Sequence, residues 1–380
     1  MAAATNTSMS LFLTDAVKAA PVLVGMFFTV RAAAGIVVGL VAGWLSDRVP
    51  DRRVIMGTAG LFGTVGALCL VFFRDYWVLL VTTTIFLSIG GAAFGQMFAY
   101  SNELATARGR DVTAFSSVIR SVFSAAFVVG APLGLSVVAR YGFTPLYLAL
   151  AALTLVSAVI GRWGLRKAPR KAFTGQGGRQ RGGAWQAIRG GLPGRLMLLL
   201  GVILVLGLAN QMYNIDIALH VTKDLHHSAS LVGWMLGLTA ALEVPAMILA
   251  GRLARRVGSG RLVGLSAVVA IASYCLVPLA ATPVTLLAVS ALIGIWQGVT
   301  LSIPMVMVQN ETPGGLGLAS SLYGAAFSSA GLFAGGVVGV TAAAVGYAGV
   351  LWVCAALCAV AAAGMAARLL LPRTGTVPAA

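Results

Sequence analysis

Acidic side chains are scarce in this chain. Ten Asp and Glu stand among 380 residues, against 26 Lys and Arg and three His, and charged residues of both signs make up only 9% of the sequence. A water-soluble domain needs a more polar surface, so that class is excluded. With 59% hydrophobic residues, 47 glycines and a mean hydropathy of +0.95, the implied solvent is the bilayer. Cysteine is equally sparse. Cys69, Cys275, Cys354 and Cys358 all sit in apolar runs with no C-x-x-C pair, which excludes a loop framework of disulfides and leaves buried free thiols. A charged start followed by an apolar stretch and a small-residue cleavage site is also missing, so no cleaved signal peptide is expected. Nucleotide loops, nucleophile triads and metalloprotease motifs are absent, which argues against ATP-driven transport, intramembrane catalysis and any cofactor. The formal charge of +16 comes without a basic helix face carrying interleaved aromatics, so nucleic acid is not an expected partner.

What the chain has in abundance is long apolar runs. Crossing about 30 Å of hydrocarbon takes roughly 20 apolar residues. Candidate spans run from Val22 to Trp44, Val54 to Phe73, Trp77 to Tyr100, Ala114 to Val138 and Thr144 to Trp163. A polar segment rich in Arg, Lys, Gly and Gln follows at 164–194 and reads as a flexible linker. Six more runs come after it: Leu196 to Leu219, Ser230 to Ala250, Leu262 to Ala281, Val284 to Val308, Leu318 to Thr341 and Gly346 to Leu371. Residues 1–13 are too short and too polar to be a full span, so the first span is expected to be incomplete. The expected domains are an N-terminal bundle at 1–163, the linker, a C-terminal six-helix bundle at 195–371 and a tail at 372–380.

Charge distributes unevenly across these runs. Arg48, Arg52, Arg53, Arg108, Arg110, the linker, Arg252, Arg255, Arg256, Arg261, Arg368 and Arg373 fall on one side, and Lys18, Arg74, Arg140 and Lys223 on the other. The excess of arginine places the linker and the C-terminus in the cytoplasm. The densest cluster, GWLSDRVPDRR from Gly43 to Arg53, lies between two spans and has a partner in the second half. Leu23, Val24, Gly25, Gly43, Leu45 and Arg48 match Leu231, Val232, Gly233, Gly251, Leu253 and Arg256, each 208 residues on. This repeat predicts an all-α polytopic membrane protein of two six-helix bundles related by pseudo-two-fold symmetry.

Gly43, Asp47, Arg48, Arg52 and Arg53 resemble the G-x-x-x-D-R-x-x-x-R-R signature of the major facilitator superfamily. Four further segments resemble the bacterial sugar efflux transporters within it: SLFL at Ser10 to Leu13, FSSVIR at Phe115 to Arg120, NQMYNID at Asn210 to Asp216 and ALEVPAMILAG at Ala241 to Gly251. The resemblance implies the major facilitator fold and a monomer in the bacterial cytoplasmic membrane. It also implies export of a sugar or glycoside by alternating access, coupled to protons. Residues Gly43, Asp47, Arg48, Arg52 and Arg53 become candidate gating residues, with Asp47 set against the start of the eleventh span near Gly314 to Gly317. Two alternatives stay open: a multidrug or small-amphiphile antiporter of the same fold, and an inactive truncated remnant.

Ionisable groups inside spans mark candidate sites, because each is costly to bury in hydrocarbon. Glu243 lies eight residues before Gly251, about 12 Å along the helix, and is the first candidate for proton coupling. Asp216, roughly 31 Å along a helix from Arg195, is the second; there, solvation at the outer interface is the competing reading. Asn210, Gln211, Tyr213 and Asn214 bring amides and an aromatic ring to one half-helix, which suits a neutral polyol with hydroxyls and C–H faces. Gln96, Asn102 and Gln297 follow the same logic. Arg31 and Arg120 either pair with a carboxylate or snorkel to an interface, and Arg120 is counted with the substrate site. Trp234, Phe27, Phe28 and Tyr323 are candidate cavity-lining aromatics. His226 and His227 adjoin in a loop, with no third ligand to make a metal site.

Overall fold

The computed structural model describes residues 2–48, 51–108, 112–164, 192–312 and 316–370. Nearly all of the linker, the tail, residues 313–315 and the side chains of Asp47, Arg48, Arg52, Asn102 and Arg120 lie outside the described residues, as does the packing around Gly43 and Gly317.

Among the described residues every regular element is helical. Hydrocarbon offers no partner to backbone N–H and C=O groups, and a helix satisfies them within one segment. In chain order the helices are α1 (Ala2–Asp15), α2 (Pro21–Arg48), α3 (Arg52–Phe72), α4 (Tyr76–Ala107), α5 (Val112–Tyr141), α6 (Phe143–Val159), α7 (Gly194–Leu219), α8 (Ala229–Val257), α9 (Ser259–Leu276) and α10 (Pro283–Glu311). The last helical stretch, Leu316–Leu370, breaks at Gly346 (φ 77°, ψ 176°) into α11 (316–345) and α12 (347–370). That backbone lies in the left-handed region, which glycine adopts without a Cβ clash. A span of 53 residues, Leu318–Leu370, would reach about 80 Å if straight, far more than one crossing needs, so the break yields two. Altogether nine described stretches are long and apolar enough to cross a membrane. Each expected apolar run overlaps one of α2 to α12; the apolar stretch described within α5, Ala125–Tyr141, is shorter than the nine, and α1, at 14 residues, is too short for a crossing.

Local chemistry sets several ends. Asp51 caps α3 by accepting from the Arg53 N–H, and Thr282 caps α10 in a reciprocal box with Thr285, followed by Pro283 in the first turn. Wide π turns extend α6 over Ile160–Gly164 and α7 over His220–Asp224.

The described residues form two compact units. The first comprises those within Met1–Thr174, Asn214–Ala240 and Leu332–Val350; the second comprises those within Gly175–Tyr213, Ala241–Gly331 and Leu351–Ala380. In the first unit α3 packs on α4 and α6, α2 on α4, and α1 on α5. Its core gathers Met9, Phe12, Leu13, Val24, Phe27, Leu70, Leu79, Tyr147 and Leu150. The Phe12 ring meets Tyr147 edge-on at 5.1 Å and carries the Arg74 guanidinium over its face at 5.1 Å. The SLFL segment is therefore core: Leu11, Phe12 and Leu13 are buried. The end of α7 joins this unit through an ion pair between Lys223 and Asp15.

In the second unit a ladder of rings ties α7, α9 and α10 together. Tyr213 lies 5.6 Å from Tyr274, and Tyr274 lies 5.6 Å from Trp296. At one end the buried Arg368 pairs with Glu311, and its Nε donates to the Arg195 carbonyl at 3.3 Å. Large apolar side chains such as Leu40, Phe72, Leu133, Leu279 and Val284 point outward, as lipid-facing residues must.

Candidate functional site

Amides and aromatic rings converge in the second unit. Asn210 of α7, Trp296, Gln297 and Thr300 of α10, and Tyr323 of α11 line one slot, closed by Ile203, Leu206, Gly207, Leu301 and Phe327. Its free space is about 10 Å³, room for one water-sized sphere. Helix periodicity explains the set: Ile203, Leu206, Gly207 and Asn210 recur at three and four residues along one face of α7. Tyr323 donates its hydroxyl to the Leu301 carbonyl at 3.3 Å and stacks on Phe327 at 6.4 Å. Two N–H donors of this lining, Trp296 Nε1 and Gln297 Nε2, are buried without an acceptor among the described residues. An unmet buried donor is costly unless a ligand supplies the acceptor.

A wider cavity of about 520 Å³ lies in the first unit between α2 and α4. Arg31, Ser88 and Gln96 are its polar lining; Gly35, Gly39, Ala42, Gly91 and Ala92 keep its walls open, and Leu87 completes it. Sequence spacing alone left Arg31 without a role. Here it faces the same space as Gln96, and no carboxylate is among the described residues lining that space.

Glu243 is half-buried within helix α8. Its backbone is pressed against α10: a Cβ on Gly298 would lie 2.6 Å from the Glu243 carbonyl oxygen, so only glycine allows this approach. Asp216 is 0% exposed, so the solvated reading does not hold, and neither carboxylate oxygen has a hydrogen-bond partner among the described residues. Tyr213 is buried in the ring ladder, and Gln211 lies beside Gly331 rather than in the slot. Asn214, one residue past Tyr213, lines neither space. Trp234 is 61% exposed and also lines neither. Phe27 belongs to the core of the first unit. Of the candidate gating residues, Arg53 alone is fully described: its guanidinium binds Asp51, Nη2 to Oδ2 at 2.7 Å and Nε to Oδ2 at 3.0 Å.

The family model of the Major Facilitator Superfamily matches residues 1–205 and 198–380. The chain belongs to the major facilitator superfamily. It is 32% identical over 345 residues to sugar efflux transporter B of Salmonella typhimurium, covering 91% of this chain and 86% of that one. Sugar efflux transporters A and C of Escherichia coli are 30% and 31% identical, over 93% and 88% of this chain and 89% and 83% of theirs. Two crystal structures of the nucleoside transporter NupG, one of a point variant, superpose with TM-scores of 0.81 and 0.83 at 14% and 15% identity. They cover 97% and 96% of this chain and 96% and 95% of theirs. The chain is thus a multi-pass membrane transporter related to the sugar efflux transporters, in a family of carriers rather than enzymes.

Several residues of this major facilitator chain escaped the sequence reading. Trp296 and Thr300 flank Gln297 in the slot, and the periodicity of α10 could have found them. Ser88 lines the wider cavity with its Oγ buried and without a hydrogen-bond partner among the described residues. His220 is 2% exposed and bonds Asp224 through Nδ1 at 2.9 Å. The spacing D-x-x-x-H-x-x-x-D from Asp216 to Asp224 places three ionisable groups at i, i+4 and i+8, a pattern visible in the sequence once the adjacent pair His226 and His227 is set aside.

Proposed function

We propose that this transporter exports a sugar or glycoside from the cytoplasm in exchange for protons, by alternating access. The observation that carries the reading is the slot of the second unit: unmet donors on Trp296 and Gln297, the Asn210 amide, and the stacked rings of Tyr323 and Phe327. In this conformation the slot admits a single hydroxyl, whose oxygen would accept from those donors, and a whole pyranose ring would enter only once the helices lining it part. The related proteins named as sugar efflux transporters support the same cargo class. Glu243, a carboxyl placed within a span, carries the exchanged proton. The linker and the C-terminus face the cytoplasm, following the arginine excess on that side. A second reading, export of a small amphiphile, is favoured by the apolar part of the slot, Ile203, Leu206, Leu301 and Phe327.

Purified protein in vesicles with an imposed pH gradient separates these readings. Labelled lactose or a thiogalactoside should move against its own gradient. Gln297→Ala should slow that movement about tenfold, the effect of losing a hydrogen bond worth about 1.4 kcal/mol. Glu243→Gln should abolish uphill movement. Dye extrusion without sugar flux favours the amphiphile, and no flux of either kind from folded protein would sink the export reading.

A further inference from the structure

Asp216, His220 and Asp224 stand one turn apart at the end of α7 remote from the linker. Asp216 is fully enclosed and, among the described residues, neither of its oxygens has a hydrogen-bond partner; His220 is 2% exposed, and its Nε2 likewise has none among them; Asp224 is exposed at the rim. The His220 ring uses Nδ1 to reach Asp224 at 2.9 Å, and Asp224 also accepts from the Ala348 N–H at 3.2 Å. The π turn over His220–Asp224 interrupts the regular ladder here, a feature often found where a helix is adapted for function. The charged and titratable groups around this column come from three other places. Asp15, the last residue of α1, pairs with Lys223; Tyr347, at the start of α12, lies within electrostatic reach of Asp216, Asp224 and Asp15; His227 follows in the loop.

We propose that this column is a proton path, in which Asp224 passes a proton through the His220 ring to the enclosed Asp216 carboxylate. The geometry carries the assignment: exposure falls from rim to interior along one helix face, and imidazole is the side chain that can gain a proton at one nitrogen and release one from the other. Residues four apart on a helix are neighbours, with Cβ atoms about 5–6 Å apart, so a turn of the ring closes the gap between His220 and Asp216. Charge balances at each step: Asp224 becomes a carboxylate, His220 returns to neutral, and Asp216 becomes a neutral acid. The reverse sequence returns the proton. Ion pairing of Lys223 with Asp15 at the mouth of the column keeps Lys223 from neutralising Asp224. The path rests on the reading of proton-coupled export and adds to it a second proton-bearing carboxyl, Asp216, with its own route to the rim.

The test uses the full chain in vesicles loaded with a pH-sensitive dye, following proton movement driven by a galactoside gradient. Galactoside exchange at equal pH, which needs no net proton transfer, is followed in parallel. His220→Gln and Asp224→Asn should lower driven proton movement about a hundredfold more than exchange, the scale of a lost acid–base group. Imidazole in the bath should restore proton movement to His220→Ala and leave Asp216→Asn unrestored. Variants that keep wild-type proton movement would overturn the path alone. Equal loss of exchange and proton movement, with no imidazole rescue, would assign the column a structural role instead. Wild-type protein that moves galactoside with no accompanying protons would overturn both the path and the coupled reading beneath it.

Discussion

Arg368 illustrates what one charge requires in this setting. Only 2% exposed, it is held by Glu311 and by the Arg195 carbonyl, so each of its favourable contacts offsets desolvation. Breaking a buried pair is costly because the remaining charge loses its partner, but Glu311 is 32% exposed, and water takes up part of that loss. Arg368→Met should therefore destabilise the protein by about 2 kcal/mol, and Glu311→Gln, which leaves the buried Arg368 charge without its partner, by more, both read as lowered thermal stability in detergent. The same reasoning separates what could be read from the chain at this scale from what could not. Glu243 and Asp216 were legible as intramembrane carboxyls because any such residue is conspicuous among so few acids. Position along a helix gave Asp216 a height, and height alone left open whether water reaches it. Its enclosure depends on neighbours supplied by other helices. Arg31 and Gln96 likewise become one site only because α2 and α4 present them to a shared cavity.

Helices here owe their existence to composition and their spacing to small residues. The boundaries of α2 to α10 follow the apolar runs closely, and the break at Gly346 falls where the sequence already separates two runs. Where helices approach most closely, the decisive residue is a glycine. A Cβ on Gly298 would meet the Glu243 carbonyl at 2.6 Å, the Ala246 Cβ at 2.7 Å and the Met247 nitrogen at 3.0 Å, and two of these are backbone atoms that cannot rotate aside. Gly298→Leu should push α10 from α8, destabilise by about 3 kcal/mol and reduce transport. Gly251 has nothing within 4 Å of its would-be Cβ. Gly251→Ala, in a helix interior, should be neutral or stabilise by about 0.5–1 kcal/mol, so the pair of variants isolates close packing from mere loss of glycine. No run of letters announces which of the 47 glycines is squeezed in this way.

Across the whole molecule, transport by alternating access needs contacts that form on one side and part on the other. The ion pair of Lys223 with Asp15 joins residues 208 positions apart within the first unit, and the proposed cycle predicts that it parts during transport. Asp15→Cys combined with Lys223→Cys, bridged by a short bifunctional thiol reagent, should arrest galactoside movement, and a cleavable bridge should restore it on reduction. Buried Cys69, Cys354 and Cys358 should add little background. Bridged protein that transports at the wild-type rate would show that this contact never needs to part. Sequence by itself determined the solvent, the helical class, the apolar runs that become helices and the superfamily, because each follows from apolar length, charge scarcity or a short motif. Tertiary structure decided which polar groups share a space. It put Asn210 with Trp296 and Gln297, left Trp234 on the exposed face, and enclosed Asp216 beneath His220 and Asp224. The reason is geometric: a helix fixes a residue's height and angle on its own axis, while a site is made by the faces that other helices turn towards it.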